Sequence, residues 1–343
     1  MFEAEITPGM GAAEVVELAR LVEEAGFDRL GISDVALWPD AYQLQVLAAA
    51  ATERIHIGAM VTNPYTRHPA VHAAALATLQ DVSGGRAFLG IGVGAGLEAM
   101  GMTYPRPVAT LREAIEAIRG LLAGRTVTFD GETTTLDGAA LVRPPETLVP
   151  VAIGTRSPGV MRLAGEVADT ALVGARYFTP ELIALYRGWL AEGAARAGRS
   201  VDEIQVLPRV TLCVSADGRL ARDSVKRFAG HYLMILGDSG PAVDSATRRR
   251  IAAALDRSTG WYFDLDRHDD PDLLDAVDDE LAEAFAVVGT PEECVGQLRA
   301  VLDLGFNGVS CNLAAVRRDT MYEGLRETIA GSAEVVGRLR AQR

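Results

Sequence analysis

Lysine is nearly absent from this chain of 343 residues. Lys226 is the only one, and apart from five histidines every other basic side chain is arginine. A Walker-type phosphate loop needs a lysine in the pattern G-x-x-x-x-G-K-[ST], and Lys226 has no such surroundings. A Schiff-base mechanism is left with one candidate amine. Positive charge is also the minority, 33 basic against 46 acidic residues, a net charge of −13. A sequence-independent nucleic-acid binder needs a basic face for the phosphates, and so does a protein that lies on an anionic membrane; the balance argues against both partners. The three cysteines, Cys213, Cys294 and Cys311, are odd in number and widely spaced, with no C-x-x-C. That fits buried thiols in a reducing compartment, not a disulfide framework or a zinc knuckle. No apolar run is long enough to cross a bilayer, and Met1-Phe2-Glu3-Ala4-Glu5 lacks the basic start and apolar stretch of a signal peptide. These absences predict a cytoplasmic protein.

What is present is an alternation of short apolar strands and amphipathic helices. Strands are expected at 3–7, 29–33, 54–61, 87–92, 149–153, 170–173, 204–214 and 307–313. Helices are expected between them, the first over 12–25 with Val15, Leu18, Ala19 and Val22 on one face. Pro69 suits a first helical turn, and Gly26 a left-handed C-terminal cap. Thr110 with Glu113, and Thr290 with Glu293, have the spacing of capping boxes. Residues 126–136 read as a small hairpin around Asp130-Gly131. The joint Ala25-Gly26-Phe27-Asp28 recurs as Leu304-Gly305-Phe306-Asn307, as expected of a closed ring of βα units. The pattern predicts one domain over 1–343, an α/β (β/α)8 TIM barrel, with a mostly helical insertion at about 215–288 between strands 7 and 8. A dinucleotide fingerprint at Gly90, Gly92 and Ala95 is the competing reading. It needs a helix directly after the strand, and residues 97–107 with Gly101, Pro105 and Pro107 read as a loop.

The most informative stretch runs from Arg54 to Gly96. It holds Thr62-Asn63-Pro64-Tyr65-Thr66-Arg67-His68-Pro69 after the third strand and Ser83-Gly84-Gly85-Arg86 before the fourth. It resembles the luciferase-like monooxygenase superfamily, and within it the coenzyme F420-dependent methylenetetrahydromethanopterin reductase branch. Residues 149–175 resemble that branch too; the likeness is weak across 215–288. The resemblance implies an F420-dependent oxidoreductase that transfers a hydride between C5 of the deazaflavin and a small organic substrate. It also implies a homodimer. On this reading Asp34 faces the cofactor, a non-prolyl cis peptide at Met60–Val61 backs its central ring, and Thr62 lies near the same ring. Gly92, Val93 and Gly94 line the ring or its side chain. Gly154, Thr155, Arg156 and Ser157 open a helix whose backbone N–H groups, with the Arg156 charge, suit a phosphate. Gly174 and Ala175 stand beside them.

The chain departs from that branch at two positions, Val35 and Ala95, where relatives carry a histidine and a carboxylate. Asp34 and Glu98 are the remaining acid–base candidates. FMN shares a tricyclic ring and a phosphate with F420, so an FMN-dependent monooxygenase is an alternative, and a non-catalytic cofactor-binding protein is another. Trp38 and Trp261 are candidates for a substrate pocket wall. His68 and His72 have a zinc-ligand spacing, but no glutamate follows His68 and no third ligand is evident, so no metal site is expected. Arg67 and His68 read as structural caps, and Cys311 as core.

Overall fold

The protein is described from a computed structural model, over residues 1–94, 96–259 and 268–342. Eight parallel strands form a closed ring: β1 (Phe2–Ile6), β2 (Arg29–Ile32), β3 (His56–Ala59), β4 (Ala87–Ile91), β5 (Val151–Thr155), β6 (Thr170–Val173), β7 (Gln205–Val214) and β8 (Val309–Leu313). Each pairs with the next, β6 pairs with β7, and β8 closes the ring onto β1. Helices α1 (Ala12–Glu24), α2 (Ala41–Ala51), α3 (Pro69–Val82), α4 (Pro107–Leu122), α5 (Pro158–Val167) and α6 (Pro180–Arg196) alternate with the strands. After β7 come α7 (Gly218–Leu236), α8 (Ser245–Arg257), α9 (Pro271–Ala276) and α10 (Asp279–Phe285); α11 (Pro291–Asp303) precedes β8 and α12 (Met321–Ala341) follows it. This is the expected TIM barrel.

Local chemistry sets the element ends. Asp40 caps α2 by accepting from the Gln43 N–H, and His68 caps α3 through its ring nitrogen, with Pro69 at the first helical position. Thr290 and Glu293 close their capping box, with Glu293 accepting from the Thr290 N–H at 2.7 Å. The box expected at Thr110 and Glu113 does not form. Pro107 starts α4 one turn earlier, after Arg106 in a left-handed conformation. Glu113 is therefore mid-helix, and its carboxylate takes the N–H groups of Glu132, Thr133 and Thr134, each at 2.9 Å. It fastens the turn of the hairpin formed by Val127–Asp130 and Thr135–Ala139.

The insertion also departs from expectation. Its helices share a small core of their own, built on Phe228, Leu233, Ile251, Leu273 and Phe285. A short strand, Ala286–Gly289, lies within the expected limits and pairs in parallel with the far half of β7. Four residues are too few to show a period against a helical background.

The ladder registers divide the barrel interior into two halves, because residues paired across a ladder point to the same face. Glu3 aligns with Arg29 and Ser310, and Ser310 with Arg209; Glu5 aligns with Asn312, and Asn312 with Thr211. That half, on β1, β7 and β8, is polar. The half on β4 to β7 is apolar: Phe88, Ala152, Leu172 and Leu207 pack with Met60. The alternate residues, such as Ala4, Ile6, Leu30, Ile57 and Leu89, face outward into the larger core beneath the helices.

Helices α5 and α6 cross at backbone contact. A Cβ on Gly165 would overlap the Leu190 carbonyl oxygen, and one on Gly193 would overlap that of Arg162. Since α5 begins at the barrel mouth, this crossing fixes where its first turn points. Gly193→Ala should cost about 1–3 kcal/mol of folding stability by overpacking, read as a lower urea midpoint with unchanged slope. An unchanged midpoint would mean that the crossing yields freely.

Candidate active site

The C-terminal ends of β2 to β5 converge on a flat, side-chain-poor floor. After β3 the peptide bond between Met60 and Val61 is cis. Met60 turns into the barrel over Gly31, and the buried Thr62 donates its N–H to the Gly90 carbonyl at 2.9 Å. The Thr62 hydroxyl donates to Asp34 Oδ2 at 2.6 Å, which ties the segment after β2 to the segment after β3. Val61 lies between two glycines. A Cβ on Gly92 would stand 2.9 Å from the Gly154 carbonyl oxygen and 3.0 Å from Val61 Cγ2; one on Gly154 would stand 3.1 Å from Val61 Cγ1. Gly94 takes a positive φ of 86° beside Asn63. The backbone contacts thus demand glycine, and glycine leaves a surface open to a planar ring.

A buried support stands behind this floor. His72 Nδ1 lies 2.8 Å from the Tyr42 hydroxyl, and its Nε2 lies 3.0 Å from the Asn63 carbonyl oxygen. Carbonyl oxygen only accepts, so Nε2 carries the proton and Nδ1 accepts from Tyr42. Arg67 caps the far side, ion-paired with Asp40 and stacked on the Tyr42 ring.

The phosphate-suited segment sits one strand further on. The Ser157 N–H donates to Thr155 Oγ1 at 2.9 Å, Ser157 makes no side-chain cap, and α5 starts at Pro158. Gly174 follows β6 and donates its N–H to the Thr155 carbonyl oxygen at 3.0 Å; Ala175 beside it is buried. Arg156 is exposed, with its guanidinium 5.7 Å from the Tyr232 ring centre. Arg176, in a left-handed conformation, lies 5.9 Å from the same ring and 5.8 Å from Phe228. It is buried, and its Nε and Nη1 have no partner. Burial and the positive charges of Arg156 and Arg227 hold His231 below the usual histidine range. This wall is electropositive although the chain as a whole is acidic.

Two proposed acid–base residues part company. Asp34 is at the floor's edge. Glu98 is exposed in a 3-10 turn, Leu97–Met100, and accepts from the Tyr104 hydroxyl at 3.2 Å, whereas Asp34 accepts from Thr62. Val93 is half-buried next to Gly92. Trp38 is half-buried at the rim, close to Gly9 and Met321. Ala95 and Trp261 lie outside the described residues.

Residues 2–308 match the family model described as luciferase-like monooxygenase. The chain belongs to the luciferase-like monooxygenase family. It is similar to the 5,10-methylenetetrahydromethanopterin reductase of Methanolobus tindarius, 33% identical over 315 residues, covering 90% of this chain and 92% of that protein. It is 31% identical to the F420-dependent glucose-6-phosphate dehydrogenase of Nocardia farcinica, covering 87% of each. Among solved structures, the coenzyme F420-dependent tetrahydromethanopterin reductase of Methanopyrus kandleri superposes with a TM-score of 0.82 at 26% identity, covering 96% of this chain and 97% of that one.

This luciferase-like site contains groups that motif reading missed. Glu5 is buried at the mouth of β1, accepts from the Ser33 hydroxyl at 2.7 Å and is ion-paired with Arg209 of β7. Charged residues at period two in the otherwise apolar run Phe2-Glu3-Ala4-Glu5-Ile6 were the available signal, because the outward positions of a barrel strand meet helices. Arg176 gave no signal beyond being a base after a strand.

His72 offers a pH test of the support. Burial drives its pKa from 6.5 down to about 4. The unfolded chain therefore takes up the proton first as pH falls. His72's contribution is full above pH 6.5, drains between pH 6.5 and 4, and is flat below. Wild type should lose about 3 kcal/mol on this account across that window, relative to His72→Gln, in urea denaturation at stepped pH. Parallel curves for the two proteins would refute the assignment.

Proposed function

We propose that the chain is a coenzyme F420-dependent oxidoreductase, and that F420 lies on the floor made by Val61, Gly92 and Gly154. The carrying observation is the convergence of those three residues beside the Thr62–Asp34 hydrogen bond, on a barrel whose relatives are F420 enzymes by name. The fit rests on two features. The floor is a cradle that a Cβ would fill, and the wall holds a buried arginine with donors to spare. Arg156, Arg176 and the first turn of α5 would take the anionic end of the cofactor, because guanidinium and free helical N–H groups both favour phosphate.

When bound, the deazaflavin supplies two-electron transfer through C5 to or from a small organic substrate. The chain's own task is to place that substrate against the floor and to exclude water. Asp34 fixes the Thr62 hydroxyl at the floor's edge. Glu5, held by Ser33 and Arg209, is a carboxylate placed to handle a proton at the substrate, with Glu98 on the exposed turn after β4 as the other candidate.

We further infer a homodimer in the cytoplasm. Neighbouring helices α2 and α3 expose Leu47 (46%), Val71 (52%) and Val82 (40%), an apolar face that a second copy would cover. All three cysteines are buried free thiols, which suits a reducing compartment. Light scattering on the eluting protein should give twice the chain mass, and Val71→Glu should shift it to the monomer. A wild-type monomer would remove this inference.

The deciding experiment is a fluorescence titration of cofactor-free protein with F420 and, separately, with FMN. The expected result is micromolar or tighter F420 binding and weak FMN binding. Gly154→Val should weaken F420 by about tenfold or more, a loss of ~1.4 kcal/mol or more, because the branched side chain rises through the floor. A preference for FMN would move the protein to the oxygenase reading, and binding of neither would sink the site.

A further inference from the structure

The polar half of the barrel interior reaches the site at Glu5, and below Glu5 it has no part in the proposed function. Glu3, on β1, is wholly buried, and its nearest countercharge is Arg29 of β2, with Nη1 at 3.8 Å. Ser310 of β8 stands beside it, and its hydroxyl favours the charged form of Glu3, but both Glu3 oxygens and that hydroxyl fall short of a well-formed hydrogen bond. Thr211 Oγ1, Asn312 Oδ1 and Arg209 Nε are buried without partners as well. These six atoms come from three adjacent strands and occupy two successive register rows: Glu3, Ser310 and Arg209 in the lower, Glu5, Asn312 and Thr211 in the upper. Buried polar atoms are nearly always satisfied, and a strip of them this dense has the polar lining that ordered water requires. The upper row ends at Glu5, whose carboxylate meets Ser33, and the Ser33 hydroxyl lies 3.4 Å from that of Thr7 at the mouth. The two rows thus place polar side chains at successive levels between Glu3 and the mouth.

We propose that this strip holds a file of water that conducts a proton between Glu3 and Glu5, with Glu3 as the internal proton store for the reaction at the mouth. The inference rests on the oxidoreductase reading for its catalytic half only. Reduction of a C=X group, with X oxygen or nitrogen, takes two electrons and one hydrogen nucleus at carbon, which the cofactor delivers, and one proton at X. Glu3 gives up its proton to the file, the file delivers one to the Glu5 carboxylate, and Glu5 hands it on to X and is a carboxylate again; Glu3 is refilled from solvent through the mouth once product leaves, and oxidation runs the same path backwards. The charged groups around Glu3 are Arg29, Arg209 and Glu5. Burial outweighs the Ser310 hydroxyl and the two arginines and raises the Glu3 carboxyl above the usual carboxylate range, which suits a proton store. Glu3 acts through Glu5 and is a positioning residue, not a catalytic one.

Two measurements test this, the first without cofactor. In the infrared spectrum of the cofactor-free protein at neutral pH, wild type should show a protonated-carboxyl band that Glu3→Gln lacks. The band should shift promptly on transfer to heavy water. In Thr211→Val, which removes one hydroxyl without changing shape, the shift should slow by about tenfold or more, following the loss of one hydrogen-bonding station. In F420-dependent turnover, Glu3→Gln should lower kcat by about tenfold and flatten its pH profile, with KM and F420 affinity unchanged. The proposal is overturned if wild type has no such band, if its exchange is no faster than in Thr211→Val, or if Glu3→Gln turns over with the wild-type kcat and pH profile. Prompt exchange in a protein that binds no F420 would leave the conduit standing and remove the oxidoreductase reading instead.

Discussion

Everything at the mouth depends on how little room a closed eight-stranded barrel leaves inside. Every second residue of every strand must point inward, and the volume there is fixed by closure. This chain meets the limit with glycine on β2, β3 and β4. A Cβ on Gly31 would overlap Met60, one on Gly58 would overlap the Phe88 carbonyl oxygen, and one on Gly90 would overlap that of Ala59. Those three absences admit the Met60 side chain into the barrel and let β3 and β4 approach at backbone distance. Val61 covers the same interior cluster from above and lies between Gly92 and Gly154. The floor of the site is the geometric remainder of that packing. Its support, the chain from Asn63 through His72 to Tyr42, is buried because it occupies the space between the strand ends and helices α2 and α3.

The other half of the interior obeys a different economy. Replacing a buried ion pair by packed hydrophobic residues is often neutral or stabilising, so Glu5 and Arg209 are poor candidates for a purely structural role. Phe88, Leu172 and Leu207 show that this same barrel fills its interior with apolar side chains where nothing else is required. The polar lining is carried by β1, β7 and β8, with Arg29 of β2 at its edge. An asymmetry of that kind has a chemical use or it has a cost with no return.

The barrel was legible in the sequence because its signal is repeated. Each strand is a short apolar run, each helix has an apolar face, and glycine or proline marks most joints. Thr170–Val173 was delimited to the residue, and most other ends to within two. The failures are local contests. Thr110 and Glu113 have capping-box spacing, but Pro107 is a stronger start signal three residues earlier, and Glu113 was free to tie down a distant turn. Ala286–Gly289 was lost because four apolar residues look alike in a helix and in a strand. The glycine floor was legible only as motif: Gly92 and Gly154 are 62 positions apart, and nothing but strand pairing brings one's Cβ position to the other's carbonyl. Glu5 and Arg209, 204 residues apart, pose the same difficulty with charge in place of shape.

The site is thereby assembled from two kinds of material with different freedom to change. Its floor is strand backbone, where one added methyl group would collide with a neighbour. Its cationic wall is made of loop arginines leaning on α7, in the insertion where likeness to relatives is weakest. Asp269 anchors that insertion to the barrel: buried, it accepts from Arg227 Nη1 of α7 at 3.1 Å and from Arg317 Nη2, after β8, at 2.9 Å. Helix α7 carries both the ring on which Arg156 and Arg176 rest and the arginine that Asp269 holds, so the wall depends on the insertion and the floor does not. Substitutions in the insertion can therefore reshape what is admitted at the mouth without disturbing the surface on which the cofactor lies.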